Sequence, residues 1–142
     1  MHACELCTTP GGVLLWQSPQ CRVVRVDDPD YPGFCRVIWQ SHVREMTDLL
    51  PNERQTLMAV VFAVEQVLRE QLRPEKINLA SFGNMTPHLH WHIIPRWKND
   101  KCFPEPIWGK QQRTGTPPTL AVSDERLADA LHLVLKVTEE TR

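Results

Sequence analysis

Short apolar runs bounded by turn residues mark three strands near the amino terminus. Gly12 to Trp16 is the first, and Cys21 to Val26 follows beyond the turn signal Ser18-Pro19. The third is Gly33 to Trp39, introduced by Asp27-Asp28-Pro29-Asp30-Tyr31-Pro32, a loop-forming stretch. The first two read as a hairpin and the third as its antiparallel neighbour. The period then changes from two to 3.6. Leu57, Val60, Val61, Val64, Val67 and Leu68 recur at helical spacing, with Asn52 and Gln55 placed as a capping box and Pro74 closing the segment. Met58 and Phe62 widen this helix's apolar arc, which suits either burial in a monomer or contact with a second subunit.

Two more strands are expected, Ile77 to Phe82 and His88 to Ile94, joined by a short turn around Gly83-Asn84. Residues 97–122 contain four prolines and two glycines and are expected to be irregular. A last helix begins at Ser123, where Asp124 and Glu125 suit the first turn, and Leu127, Ala130, Leu131, Val134 and Leu135 give it a face to bury. The pattern is α+β: helices packed on one side of a mostly antiparallel sheet, in a single domain over residues 1–142.

The stretch His88-Leu89-His90-Trp91-His92-Ile93-Ile94-Pro95-Arg96 stands out. Alternate side chains of a strand share a face, so His88, His90 and His92 form a row while Leu89, Trp91 and Ile93 turn to the core. A single histidine on a strand is usually structural. Three in register are not, because each imidazole needs partners and their mutual repulsion resists protonation. Residues two apart on a strand lie roughly 6.5–7 Å from one another, so neighbouring pairs can share a metal but three around one ion would strain the strand. The row suits a nucleophile with supporting groups better than a compact metal site.

This stretch resembles the signature of the histidine-triad (HIT) family, including the following Ile-Ile-Pro-Arg and the upstream Gly83-Asn84, where relatives commonly carry Gly-Gln. The resemblance runs from the amino-terminal cysteine pair to Arg96, with a weaker match at Phe103-Pro104-Glu105-Pro106-Ile107-Trp108-Gly109 to the tail of a bacterial branch. It implies a HIT-like fold, a five-stranded sheet with a long helix and a carboxy-terminal helix. It also implies cleavage at the α-phosphate of a nucleoside phosphoramidate or dinucleoside polyphosphate, through a nucleotidyl-histidine that water resolves to a nucleoside monophosphate. His90 is then the nucleophile, and His92 donates to a non-bridging oxygen or to the leaving group. Asn84 is an amide donor to the phosphate and Asn78 a ribose ligand. Arg96 reads either as a phosphate contact or as a solvent-exposed strand end. Trp108 reads as closing over ligand or partner, or as simply buried. Where many relatives place a Gly-His pair on the third strand this chain has Gly33-Phe34, which removes a polar neighbour of the triad.

Cys4-Glu5-Leu6-Cys7 has the spacing of half a zinc site, and lacks the preceding strand and helix start that a redox motif needs. Similarity to bacterial members implies His42 and His88 as the other two ligands, which makes the zinc structural because four positions are filled, and makes His88 a ligand in place of a catalytic base. The alternative is two free thiols on a flexible end. Cys21, Cys35 and Cys102 read as small core residues. Five cysteines with one close pair do not form a disulfide framework, and no signal segment or long apolar run is evident, so a cytoplasmic location is expected. A net charge of −1 with dispersed Lys and Arg supplies no basic stripe, which argues against nucleic acid as the main partner but leaves a small anionic ligand. The family resemblance implies a homodimer. Two other readings compete with the hydrolase: a dimeric nucleotide-binding adaptor with a structural zinc and little turnover, and a zinc hydrolase ligated by all three triad histidines.

Overall fold

The computed structural model describes residues 4–140, with side chains described to residue 136. Five strands form one fully antiparallel sheet in the order β1-β2-β3-β5-β4. They are β1 (Val13–Gln17), β2 (Cys21–Arg25), β3 (Cys35–Trp39), β4 (Lys76–Ala80) and β5 (His90–Arg96). The β1–β2 turn is held by Ser18, whose hydroxyl accepts from the backbone N–H of Gln20 and of Cys21. Before β3 the chain turns at Gly33 with φ of +83°, a left-handed backbone conformation that favours glycine.

Helices α2 (Pro51–Leu72) and α3 (Asp124–Glu140) pack on one face of the sheet. Val23, Cys35, Val37, Trp39, Leu89 and Ile93 point into this layer against Leu57, Val61, Val64, Leu68, Leu127 and Leu131. Burial there supplies the main driving force of the fold. The expected caps need one correction. The long helix starts earlier than Asn52: Leu50 is its N-cap, Pro51 fills the first turn, and the Leu50 N–H donates to Glu53 Oε1 at 2.7 Å. Proline fits that position because its missing N–H would have had no helical partner. Ser123 does cap α3, accepting the Arg126 N–H.

Strand boundaries differ most around the triad. β4 ends at Ala80 and β5 begins at His90, so residues 81–89 form a loop much longer than the short turn expected around Gly83-Asn84. His88 therefore precedes the strand. The amino-terminal segment also forms a single turn, α1 (Glu5–Thr8), with Cys4 as its N-cap residue, a helix start that the sequence reading did not anticipate. No strand precedes it among the described residues. His2 lies outside the described residues, as do residues 141–142 of the expected last helix.

Candidate active site

The face of the sheet opposite the helices carries the polar residues. Arg22 and Val24 of β2, Phe34, Arg36 and Ile38 of β3 and its approach, and His90, His92, Ile94 and Arg96 of β5 share it. Arg36 pairs in register with His92, and Ile38 with His90. The irregular segment after β5 folds back over the end of this face, where Ile107 packs with Tyr31, Phe34 and Ile94. Between that segment and the 81–89 loop lies a cavity of about 500 Å³, lined by Arg36, Phe82, Gly83, Asn84, Met85, Thr86, His90, His92 and Trp108. A larger depression of about 660 Å³ runs along the outside of α2 from Phe62 to Pro74, but it holds charges of both signs and no histidine.

The three histidines do not share one role. The His88 ring is completely buried and its Nε2–H donates to the Trp39 carbonyl at 2.6 Å. That bond assigns the proton to Nε2 and leaves a lone pair on Nδ1. Nδ1 lies 3.3 Å from Cys4 Sγ, 3.5 Å from Cys7 Sγ and 3.2 Å from His42 Nδ1, and Cys7 Sγ is 3.5 Å from His42 Nδ1. All four donor atoms fall within 4.8 Å of one another. Tetrahedral zinc with nitrogen and thiolate ligands has N···N, N···S and S···S edges of roughly 3.3–3.8 Å, from its bond lengths. The N···S edges of 3.3, 3.5 and 3.5 Å fall in this range, and the N···N edge of 3.2 Å lies just below it. The residues present thus fit a closed four-coordinate metal site, and its donor chemistry, two thiolates and two imidazoles, suits zinc.

His90 is oriented differently. Its Nδ1–H donates to the His88 carbonyl at 2.5 Å, so the lone pair falls on Nε2. Burial lowers its pKa, partly opposed by that carbonyl, and the Arg36 charge lowers it further. The ring is a neutral imidazole at pH 7 with a defined tautomer, on the wall of the cavity. His92 lies beside it at 4.9 Å between ring centroids. Burial first, then the neighbouring His90 and Arg36, push the His92 pKa down to about 3. Its Nδ1 is buried without a partner. An orphaned lone pair costs less than an orphaned N–H, so the proton belongs on Nε2. Phe34 stands edge-on to this ring at 5.6 Å, and Trp108 does so at 4.9 Å.

Other expected residues are distributed unevenly. Asn84 lines the cavity. Asn78 does not, and its Oδ1 accepts from Arg96 Nη1 at 2.8 Å. Neither reading of Arg96 holds. It is only 2% exposed, it grips Asp100 through two bonds of 2.7 and 2.9 Å, and it donates to the Glu105 carbonyl. It anchors the folded-back segment, and the same bonds hold the Asp100 carboxyl below its ordinary pKa despite burial. Trp108 is half-exposed beside Phe82 and His92, at the cavity rim, which excludes simple burial. Cys21, Cys35 and Cys102 are buried as expected, and burial raises the first two thiols to about 11 and about 12. Metal ligation by all three triad histidines is ruled out by their divergence: His88 Nδ1 faces the cysteines while His90 Nδ1 is spent on backbone. Arg36 escaped the sequence reading. Alternation puts it on the same face as Phe34, but only the β3–β5 register of the fold brings it opposite His92.

No helix of the described residues is long and apolar enough to cross a membrane. The chain is 32% identical over 89 residues to the AP-4-A phosphorylase of Mycobacterium tuberculosis, an alignment covering 58% of this chain and 46% of that protein. It is 36% identical over 77 residues to the asymmetrical bis(5'-nucleosyl)-tetraphosphatase of Schizosaccharomyces pombe, covering 51% and 42%. The matched stretch thus spans less than half the length of these relatives. A histidine triad protein of Marinobacter aquaeolei superposes with a TM-score of 0.70 at 28% identity, over 94% of both chains. The HIT domain pattern itself matches residues 11–99, the span from the approach to β1 through the whole of β5. With most of its length matched, the chain belongs to the HIT domain family.

Proposed function

We propose that the protein is a nucleotidyl hydrolase of dinucleoside polyphosphates, working through a nucleotidyl-histidine on His90. The observation that carries this reading is the tautomer of His90: with Nδ1–H bound to the His88 carbonyl, Nε2 presents its lone pair at a cavity wall. Nε2 attacks the α-phosphorus, an Nε2–P bond forms, and the bridging P–O bond breaks with its electron pair leaving on the departing nucleotide. Water then attacks the same phosphorus, the N–P bond breaks, and the water proton leaves with solvent as the nucleoside monophosphate departs. Asn84 donates its amide N–H to the developing charge, an effect worth on the order of 3 kcal/mol in comparable sites. His92 donates Nε2–H to a non-bridging oxygen as a neutral ring.

The state of His92 favours one substrate class. With its pKa pushed down to about 3, the ring is neutral near pH 7 and lacks the second, acidic proton of an imidazolium that a leaving amine would take up. A nucleoside polyphosphate leaves as an anion and needs none. Dinucleoside polyphosphates therefore suit this site better than phosphoramidates, in keeping with the names of the two curated relatives. Zinc at Cys4, Cys7, His42 and His88 would be structural, fixing the segment before β5 and so the carbonyl that orients His90. A homodimer belongs to the same reading, supported by the exposed Phe62 on α2 and the open edge of β4.

The test is AMP release from diadenosine tetraphosphate and from adenosine phosphoramidate by the wild type and by His90→Asn. We expect the tetraphosphate to be the better substrate, and the variant to lose turnover by about a thousandfold or more while still binding nucleotide. Nucleotide binding without product from either substrate would leave a binding protein in place of an enzyme.

A further inference from the structure

Three arginines lie on the open face of the sheet, and two are fully committed. Arg22 donates from Nε to the Pro10 carbonyl, from Nη2 to those of Leu6 and Thr9, and from Nη1 to Gln40 Oε1. Arg96 is paired with Asp100 and further bonded to Asn78 and Glu105. Arg36 is the exception. It has five N–H donors, yet its hydrogen bond runs from Nη1 to the Gly11 carbonyl at 3.2 Å, its buried Nε has no hydrogen-bond partner, and the guanidinium otherwise lies over the Phe34 ring at 5.9 Å. It has no carboxylate partner among the ion pairs of the described residues.

Its position gives that surplus a direction. Arg36 is directly across from His92 in the β3–β5 register and lines the cavity that holds His90 and His92. Neither a lysine nor a carboxylate joins it on that lining. The smaller hollow on the other side of His90 carries Arg44 together with Glu45, a cation with an anion beside it. The Glu5 carboxylate favours its charged form, but from beyond ion-pair distance, and a half-buried guanidinium so incompletely matched is costly unless it meets an anion in use.

We infer that Arg36 is the anion-binding residue of this cavity, its guanidinium gripping non-bridging oxygens of the phosphate group that His90 attacks. The planar fork matches two such oxygens, and a fixed cation beside the nucleophile draws the phosphate into place and offsets the charge that builds on it. This inference rests on the nucleotide reading for the identity of the anion, but not for its charge.

The test is isothermal titration of wild type, Arg36→Gln and Arg36→Lys with inorganic pyrophosphate, AMP and adenosine, with thermal unfolding to confirm that each variant folds. Loss of a charge-assisted contact should weaken pyrophosphate and AMP about ten- to a hundredfold in Arg36→Gln, with adenosine unchanged and Arg36→Lys intermediate. Equal weakening of AMP and adenosine would mark Arg36 as a structural clip on Gly11 and overturn the inference. So would anion affinities that survive the substitution, and so would a wild type that takes up no anion. Arg36-dependent binding of pyrophosphate by a protein that ignores both AMP and adenosine would uphold the anion site and sink the nucleotide reading instead.

Discussion

His88 and His92 stand four residues apart in one alternating run, and they end in opposite kinds of site. At His88 both ring nitrogens are occupied: one is fixed to the Trp39 carbonyl and the other joins two sulfurs and a second imidazole in a closed cage. At His92 the ring borders a cavity, one nitrogen has no partner, and the neighbours are aromatic edges. The same residue type at the same spacing thus ends in a closed donor cluster at one end and on a cavity wall at the other. His90 belongs to both, since its ring faces the cavity while its tautomer is set by the backbone of the caged residue. The difference teaches that burial alone does not set a histidine's role. What decides it is which groups meet the second nitrogen.

The sharpest way to break the comparison is to open the cage. Cys4→Ser should abolish stoichiometric zinc binding, measured by metal analysis of the purified protein, and lower the melting temperature on the order of 10 °C. Activity should fall as well, because the His88 carbonyl that holds His90 would lose its anchor. A variant with unchanged melting temperature and no less metal would show that these four residues do not form a metal centre.

Much of this arrangement was legible from residue order. The strands, the long helix and the last helix follow from periodicity, and the cysteine spacing together with the family resemblance pointed to Cys4, Cys7, His42 and His88, four residues that the structure brings together. Three things were not legible. The start of α2 at Leu50 depends on a backbone cap and on Glu53, which compete with an equally plausible Asn52 and Gln55 pair. The fate of Arg96 depends on Asp100, four residues on in a segment with no periodicity, whose course over the sheet only tertiary contact defines. Arg36 looks like any strand residue until register places it opposite His92. Local pattern reports elements and motifs; cross-strand neighbours come from the fold.

A smaller effect sharpens the contrast at the open end. The His92 pKa, held at about 3 against an ordinary value of 6.5, means that between those values the unfolded chain binds a proton that the folded chain refuses. Stability from this group is therefore complete above pH 6.5 and is lost progressively as pH falls toward 3. Urea unfolding between pH 7 and pH 4 should show a shallower loss for His92→Gln than for the wild type. Phe34→His should act in the same region by giving His92 a polar neighbour, raising its pKa by about one unit in a histidine NMR titration. Equal slopes for wild type and His92→Gln would mean that His92 titrates normally in the folded protein.

The smallest effect concerns the wall of the cavity. Trp108 is 52% exposed, and its ring stands edge-on to Phe82 at 5.2 Å and to His92 at 4.9 Å. It is carried by the segment that Arg96 and Asp100 anchor, so its position is fixed by a buried ion pair even though its own ring is half in solvent. Under the proposed function, such a ring would contribute apolar area to a bound nucleotide and make no contact specific to the transition state. That is the signature of uniform binding, which alters KM and leaves kcat alone. Trp108→Ala should accordingly raise KM for a dinucleoside polyphosphate about three- to tenfold with kcat unchanged, as aromatic contacts with a base are worth roughly 1 kcal/mol. A fall in kcat at constant KM would instead place Trp108 in the support of His92, and the open end of the strand would then be more tightly held than its exposed rim suggests.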